Sequence, residues 1–299
     1  MQKIVIQQDA GAQAVKEKSI DELLGLKCIQ LKMNEFHLNR TDLENNWIDF
    51  LQYATSNQEC ENCVGLSSCP KVTKGMKQDI QGSKEYLHFP LTPCQYGFEK
   101  FENQDILNRI ALKNVGDKIL LTRSKDLTML NQKEGNSRTV LTQLGEYLKN
   151  PIEKGIYLYG LPGLGKSTLM GWLIRALVME GRQCGYIHFP TFLMDIKAGF
   201  GDNKNDNQHI ELMKNIDYLV IDDIGGENPT AWSRDEVLSA VLSYRSQNQK
   251  VTFFTSIYSI DNLKPIYSIK NGDGSKVERL IDRMKAVSKV IHLQGQDLR

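Results

Sequence analysis

Apolar residues recur at helical spacing through the first part of the chain. Ile20 and Leu23 follow Ser19, which we interpret as a helix N-cap because Glu22 stands at the capping-box position. A second group with the same spacing runs from Leu43 to Leu51. The pattern predicts amphipathic helices, which either pack a small core or offer a surface to a partner protein.

The pattern changes between Cys60 and Cys94, where Gly, Pro, Ser and Cys accumulate and short strands and knuckles are expected. A polar stretch then leads into the rest of the chain, with helical periodicity at 106–115 and 140–148. We therefore expect a small N-terminal domain, a connector and a larger domain. Their predicted bounds are 1–105 for the N-terminal domain, about 100–130 for the linker and 106–299 for the larger domain.

From Gly155 onward, strand-like and helix-like segments alternate. The predicted strands are Ile156–Tyr159, Cys184–Phe189, Tyr218–Ile221 and Val251–Thr255, and the predicted helices between them are 167–180, 191–198 and 234–247. Such alternation is typical of a parallel sheet covered by helices. The sequence thus predicts an α/β domain, preceded by a small helical domain.

The charge balance argues against a protein that is drawn to nucleic acid by its overall charge. The chain of 299 residues has 37 basic and 36 acidic side chains, a net charge of +1, so no overall field draws it to phosphate backbones. Its longest apolar runs are strand-sized, below the roughly 20 residues of a membrane span. The stretch Met1 to Asp9 lacks the apolar region of a secretory signal. We expect a cytoplasmic protein with no membrane contact.

The segment from Gly160 to Ser167 reads Gly-Leu-Pro-Gly-Leu-Gly-Lys-Ser, between an apolar strand and a helix, which is the context of a P-loop. Its glycines let backbone N–H groups and the helix N-terminus face an anion, and Lys166 adds a positive charge for the outer phosphates. Ser167 can supply a hydroxyl to Mg²⁺. We expect ATP and Mg²⁺ here, bound by Gly160, Gly163, Leu164, Gly165, Lys166, Ser167 and Thr168.

A second acidic motif follows the apolar run that begins at Tyr218 and ends with Asp222 and Asp223. Two carboxylates at the end of a buried strand, downstream of a P-loop, are typical of a Walker B element. Asp222 would hold Mg²⁺, which prefers oxygen ligands, and Asp223 would orient or deprotonate the attacking water. We therefore interpret Lys166, Asp222 and Asp223 as catalytic.

Four of the six cysteines lie between residues 60 and 94. Cys60 and Cys63 have the knuckle spacing with which two thiolates reach one tetrahedral ion, and Cys94 can close the site from a second loop. Cys69 and His88 are both candidates for the fourth ligand. This clustering predicts a structural Zn²⁺ site, against the alternatives of reduced structural cysteines or redox chemistry.

Together the motifs resemble those of bacterial helicase loaders of the DnaI/DnaC type, which are AAA+ ATPases related to the initiator DnaA. The resemblance is carried by the P-loop, by Leu219–Gly225, by Trp232–Leu238 leading to Arg245, and by Thr252–Ser256. The cysteine-rich module points to the DnaI branch, whose members are expected to bind zinc through three Cys and one His. The residue aligned with that His, around Lys77, cannot bind zinc, so the resemblance makes Cys69 the first choice for the fourth ligand and His88 the alternative.

The resemblance implies two further site residues. Such proteins usually have a polar sensor where this chain has Ile257, so Thr255 or Ser256 would substitute, or hydrolysis would be slow. We count Ser256 among the expected nucleotide contacts. The resemblance also implies an arginine finger that reaches the ATP of a neighbouring subunit, with Arg283 as first choice and Arg279 as second.

The resemblance implies binding to a replicative DnaB-type helicase through the N-terminal domain, delivery of that helicase onto single-stranded DNA, and ATP-dependent homo-oligomers. Lys197, Lys204 and Lys214 are candidate DNA contacts. Three alternatives remain: an IstB-like transposition helper acting on DNA, a small-molecule P-loop kinase, and a non-catalytic adaptor in which nucleotide serves only as a folding element.

Overall fold

The computed structural model describes residues 10–131, 135–150, 154–198, 203–270 and 273–297. The chain divides into two compact units, Met1–Asn103 and Gln104–Arg299. None of the helices in the described ranges combines the length and apolar character that crossing a membrane requires.

The N-terminal unit begins with four helices and continues with short strands. The helices are α1 (Ala10–Gly25), α2 (Lys27–Glu35), α3 (Arg40–Asn45) and α4 (Trp47–Glu61), followed by a 3₁₀ turn at Leu66–Ser68. The strands are β1 (Met76–Gln78), β2 (Gln81–Ser83), β3 (Tyr86–His88) and β4 (Leu91–Pro93). Strand β1 pairs with β4 and β2 pairs with β3, both antiparallel. Helices and then short strands are thus found in the predicted order.

Apolar side chains of the four helices form the core of this unit, with Phe50 fully buried and its ring edge-on to Phe89 at 5.3 Å. The predicted N-cap at Ser19 is wrong, because α1 starts at Ala10 and Ser19 lies inside it. A capping box does occur, at the start of α3. There the backbone N–H of Asp42 donates to the Asn39 side chain at 3.1 Å, and the backbone N–H of Asn39 donates to the Asp42 carboxylate at 2.8 Å.

The remaining elements alternate along the chain. They are α5 (Phe98–Arg109), β5 (Ile110–Lys113), α6 (Asp117–Leu120), a 3₁₀ segment (Ser124–Asn131), α7 (Ser137–Lys149), β6 (Gly155–Tyr159), α8 (Lys166–Met179), β7 (Cys184–His188), α9 (Phe189–Ala198), α10 (Asn203–Asn215), β8 (Tyr218–Asp222), a π-helix (Trp232–Ser239), α11 (Ala240–Gln247), β9 (Val251–Ser256), α12 (Leu263–Tyr267), α13 (Gly274–Val287) and β10 (Ser288–His292).

Six of these strands form one parallel sheet in the order β10-β6-β9-β8-β7-β5. Side chains alternate across it: Ile156 and Leu158 pack with α7 and α8 on one face, whereas Tyr157 packs with α9, α11 and α13 on the other. The predicted fold class, an α/β domain with a parallel sheet flanked by helices, is confirmed. The carboxyl ends of β6, β7, β8 and β9 meet at one edge.

Both outer strands of the sheet differ from the sequence prediction. Helical periodicity was expected over 106–115, but Ile110–Lys113 forms edge strand β5 beside β7. Ile110 and Leu112 are buried while their neighbours are exposed, so the two-residue period of a strand outweighs the helical pattern. The opposite edge, β10, was not predicted.

Arg245, at the end of the stretch that begins with Trp232, has a structural role. Arg245 is fully buried, and its guanidinium donates to the carbonyls of Met213, Ile216 and Val251, each at 2.6 Å, and to the Thr252 hydroxyl at 2.9 Å. Burial lowers its pKa to about 9. Arg245 therefore joins α11 to the starts of β8 and β9.

Candidate nucleotide-binding site

The predicted P-loop connects β6 to α8 at the carboxyl edge of the sheet. Gly163 and Gly165 have φ angles of 80° and 84°, which a residue with a β-carbon adopts only with strain. Gly165 precedes the first turn of α8, and no side chain caps that turn. The first N–H groups of α8 therefore point into the loop, where an anion is favoured.

Lys166 lies folded back over this loop. Its ammonium donates to the carbonyl oxygens of Gly160 and Leu161, both at 2.8 Å, and the residue is only 9% exposed. Burial lowers the pKa of Lys166, while Asp223 and Asp222 act in the opposite direction. A largely buried cation beside free helix amides is well suited to hold phosphate oxygens.

The remaining predicted P-loop contacts lie in or next to α8. Leu164 is buried in the core beneath the loop, and Thr168 is half-buried in the first turn of the helix. Ser167, also half-buried, is the residue that turns toward the Walker B strand.

Asp222 ends β8 with its carboxylate almost completely buried, at 3% exposure. The Ser167 hydroxyl donates to it at 3.0 Å, and the Thr255 hydroxyl makes a second short hydrogen bond to the same oxygen. Burial raises the pKa of Asp222, against these two hydrogen bonds. A hydroxyl and a carboxylate at hydrogen-bond distance are the hard oxygen ligands that Mg²⁺ prefers, so these residues fit that ion.

Asp223 follows in a left-handed conformation with a φ of 62°. Its backbone N–H donates to the Thr255 hydroxyl at 3.0 Å, so Thr255 holds both acidic residues. The side chain turns toward His188, whose Nε2 lies 3.6 Å from a carboxylate oxygen of Asp223. Asp223 is thus oriented by groups from two neighbouring strands.

His188 was not predicted from sequence. It ends β7, beside Asp222 in the sheet register, and its Nδ1 lies 2.8 Å from the Thr191 hydroxyl. Contact with Asp223 raises the pKa of His188. Tyr186, two residues earlier, donates its hydroxyl to the carbonyl of Ser167 at 3.2 Å. The sequence shows only a polar residue near the end of a predicted strand. The pairing of β7 with β8 is what places His188 beside Asp222.

Thr255 and Ser256, the two residues that could substitute for a polar sensor, make different contacts in the structure. Thr255 points to Asp222 and Asp223, as described above. The Ser256 hydroxyl donates to the carbonyl of Ile224 at 2.6 Å and accepts the N–H of Tyr258 at 3.0 Å, so it shapes the loops instead. Ile257 is 38% exposed.

The two predicted finger arginines lie on α13. The Arg283 guanidinium is 3.2 Å from the Ser239 hydroxyl, and the Arg279 guanidinium is 3.2 Å from the carbonyl of Ser275. They line a small surface pocket that also includes Lys276. The finger role stays a prediction.

Two of the candidate DNA-contacting lysines, Lys197 and Lys214, lie on different helices, α9 and α10. Lys197 is exposed at the end of α9, and Lys214 pairs with Glu211 at 2.7 Å. The side chain of Lys204 lies outside the described residues. DNA contact through these residues stays a prediction.

The clustered cysteines are half-buried free thiols: Cys60 lies in the last turn of α4 and Cys63 follows it, Cys69 follows the 3₁₀ turn, and Cys94 follows β4. Burial raises the pKa of Cys60, with smaller effects from Lys71 and the other three thiols. Backbone N–H groups of Gly75 and Lys71 lower the pKa of Cys69. In the part of the chain that the structure describes, no three His, Cys, Asp or Glu side chains are arranged to hold a metal ion.

The arrangement therefore does not support the predicted zinc site, which rests on the cysteine spacing. The alternative ligand, His88, is exposed on β3, opposite Gln81 in the two-stranded sheet.

A known protein resembles this chain along most of its length. The chain is 25% identical over 279 residues to the replicative helicase loader DnaI of Bacillus subtilis strain 168, covering 90% of this chain and 88% of that protein. No family model matches the chain. The resemblance to loaders of the DnaI/DnaC type, which the motifs indicated, is confirmed.

Solved structures also resemble this chain. A crystal structure from Streptococcus pyogenes serotype M3, described as a primosome component, is 28% identical, with 65% of this chain and 98% of that chain covered and a TM-score of 0.52. The crystal structure of DnaI matches with a TM-score of 0.55 at 20% identity, over 66% of this chain and all (100%) of that one. The second likeness concerns the fold.

Proposed function

We propose that this chain is an ATP-dependent loader that binds a replicative DnaB-type helicase and delivers it onto single-stranded DNA. The observation that carries the proposal is the similarity to a replicative helicase loader over 90% of the chain. That similarity extends into both compact units, so it is not limited to the P-loop and Walker B motifs common to many ATPases.

The geometry supports ATP binding and hydrolysis at the P-loop. Lys166 and the first amides of α8 would hold the phosphates, and Ser167 and Asp222 would hold Mg²⁺, which when bound neutralises phosphate charge. Asp223 is the residue that orients the attacking water. His188 restrains that carboxylate when it is protonated and releases it when it is neutral.

We assign helicase docking to the N-terminal unit and nucleotide-controlled self-assembly and DNA contact to the second unit. Arg283 would act in the assembled state, after leaving Ser239. A guanidinium supplied by a neighbouring subunit would make hydrolysis depend on assembly.

The test is gel filtration with light scattering of the chain mixed with its cognate replicative helicase. We expect a stable complex with the wild type, and also with Lys166→Ala if docking precedes the use of ATP. The matched control is a chain that starts at Gln104 and therefore lacks the N-terminal unit. If no complex forms with or without ATP, while the chain assembles on duplex DNA, the loader proposal is wrong and a transposition helper fits instead.

A further inference from the structure

A segment after β10 lies against the P-loop, where a β-carbon added to Gly160 would overlap the carbonyl oxygen of Leu293. We call residues 293–297 the strap. The backbone N–H of Leu293 donates to the carbonyl of Tyr159 at 2.7 Å, which extends the pairing of β10 with β6. Gly295 then forms an isolated antiparallel bridge with Gly135. The strap is therefore fixed to the sheet on one side and to the start of α7 on the other.

Asn136 clasps the strap with three hydrogen bonds. Its side-chain amide donates to the carbonyl of His292 at 2.7 Å and accepts the N–H of Gln294 at 2.7 Å, while its backbone N–H donates to the carbonyl of Gln294 at 3.0 Å. The ring of His292 also stacks on Tyr159 at 4.5 Å. These hydrogen bonds, which join residues far apart in the sequence, position Asp297, the last residue of the strap.

Asp297 places its carboxylate against the phosphate loop. A β-carbon added to Gly163 would overlap one carboxylate oxygen of Asp297 and lie 2.7 Å from the other. The carboxylate thus lies in van der Waals contact with the centre of the P-loop. It is an anion beside the surface that Lys166 and the first turn of α8 make favourable for anions.

We propose that the strap is an autoinhibitory gate in which the Asp297 carboxylate competes with nucleotide phosphates for the P-loop. The proposal rests on the nucleotide-binding function proposed above and adds a residue that controls it. A phosphate entering the loop meets a negative charge next to Gly163, so the strap has to move for tight binding. The Asn136 clasp sets how readily it moves.

The test compares dissociation constants for a fluorescent ADP analogue, with and without Mg²⁺. Asp297→Asn keeps the shape and removes the charge, and Asn136→Ala removes the side-chain half of the clasp. Both should bind nucleotide more tightly. Asp297→Asn should do so by about 2- to 5-fold, which is the size of a charge effect at a helix N-terminus. Glu278→Gln, which removes an exposed carboxylate on α13, should bind as the wild type does.

Hydrogen exchange adds a second measurement: in the wild type, the amides of the strap should exchange faster when nucleotide is bound. Unchanged dissociation constants in both variants would overturn the strap proposal and leave the proposed function standing. Weaker binding of Asp297→Asn in Mg²⁺ alone would also overturn it, because the carboxylate would then assist the metal. If neither the wild type nor any variant binds nucleotide, the proposed function fails as well.

Discussion

Replacing Thr255 by Val removes one hydroxyl from the centre of the candidate site. This hydroxyl donates to the Asp222 carboxylate and accepts the backbone N–H of Asp223 at 3.0 Å. Thr255 is 1% exposed, so water cannot take its place. Valine has the same branched shape and suits strand β9, which isolates the loss of the hydroxyl from a change in packing.

The size of the effect follows from the two lost hydrogen bonds. A hydrogen bond to a charged group contributes about 1.5–3 kcal/mol, and an N–H left buried without an acceptor costs about 1–3 kcal/mol. We therefore expect Thr255→Val to lower the free energy of unfolding by about 3 kcal/mol. Loss of the donor also raises the pKa of Asp222 further and removes a group that positions its carboxylate, so we expect weaker Mg²⁺ binding.

Urea unfolding measures the first effect, and a Mg²⁺ titration of nucleotide binding measures the second. Ser256→Ala is the matched control, because Ser256 is equally buried but bonds to Ile224 and Tyr258. It should lose stability without a change in Mg²⁺ dependence. If Thr255→Val keeps the Mg²⁺ dependence of the wild type, Thr255 does not position the Walker B carboxylates.

Further predictions concern other residues of the fold and the site. Lys166→Ala should abolish measurable binding of a fluorescent nucleotide while leaving the circular dichroism spectrum unchanged, because it removes the cation over the loop. The ion pair of His188 with Asp223 stabilises the fold below pH 6.5, the ordinary pKa of histidine, and is lost as the pH rises through the raised pKa of His188. Because loss of the ion pair releases the Asp223 carboxylate, ATP hydrolysis should increase over that range. His188→Gln should flatten the pH profile of hydrolysis. Arg245→Met should lower the free energy of unfolding by more than about 3 kcal/mol in urea, because buried carbonyls lose their donor. The cysteine spacing predicts one zinc ion per chain, whereas the thiols are not arranged to hold one in the described residues; elemental analysis of the purified protein decides between them, and a metal-free chain that still docks on the helicase would contradict the prediction from the spacing.

The features predictable from the sequence are those encoded in local runs of residues. The P-loop and the Asp222–Asp223 pair are contiguous motifs, and an apolar strand next to each is enough to place them at the carboxyl edge of a parallel sheet. The periodic apolar positions around Ile20 and from Leu43 to Leu51 also indicated helices, and they lie in α1, α3 and α4. In these segments local preference and tertiary environment agree.

The remaining features depend on contacts between distant parts of the chain. Ile110–Lys113 becomes a strand because it pairs with β7, which its own helical pattern does not indicate. His188 gains its role from the neighbouring strand, and the Asn136 clasp joins residues separated by more than 150 positions. The Ser19 prediction failed because a capping pattern does not show whether a helix has already begun upstream.

The central claim is tested most directly by loading onto covalently closed circular single-stranded DNA, which a closed helicase ring cannot thread. The helicase retained on the circle is measured after gel filtration, with and without this protein and ATP. We predict that retention rises only when both are present, and that Lys166→Ala abolishes the rise. Equal retention with and without the protein, under conditions where the two proteins bind each other, would contradict the account.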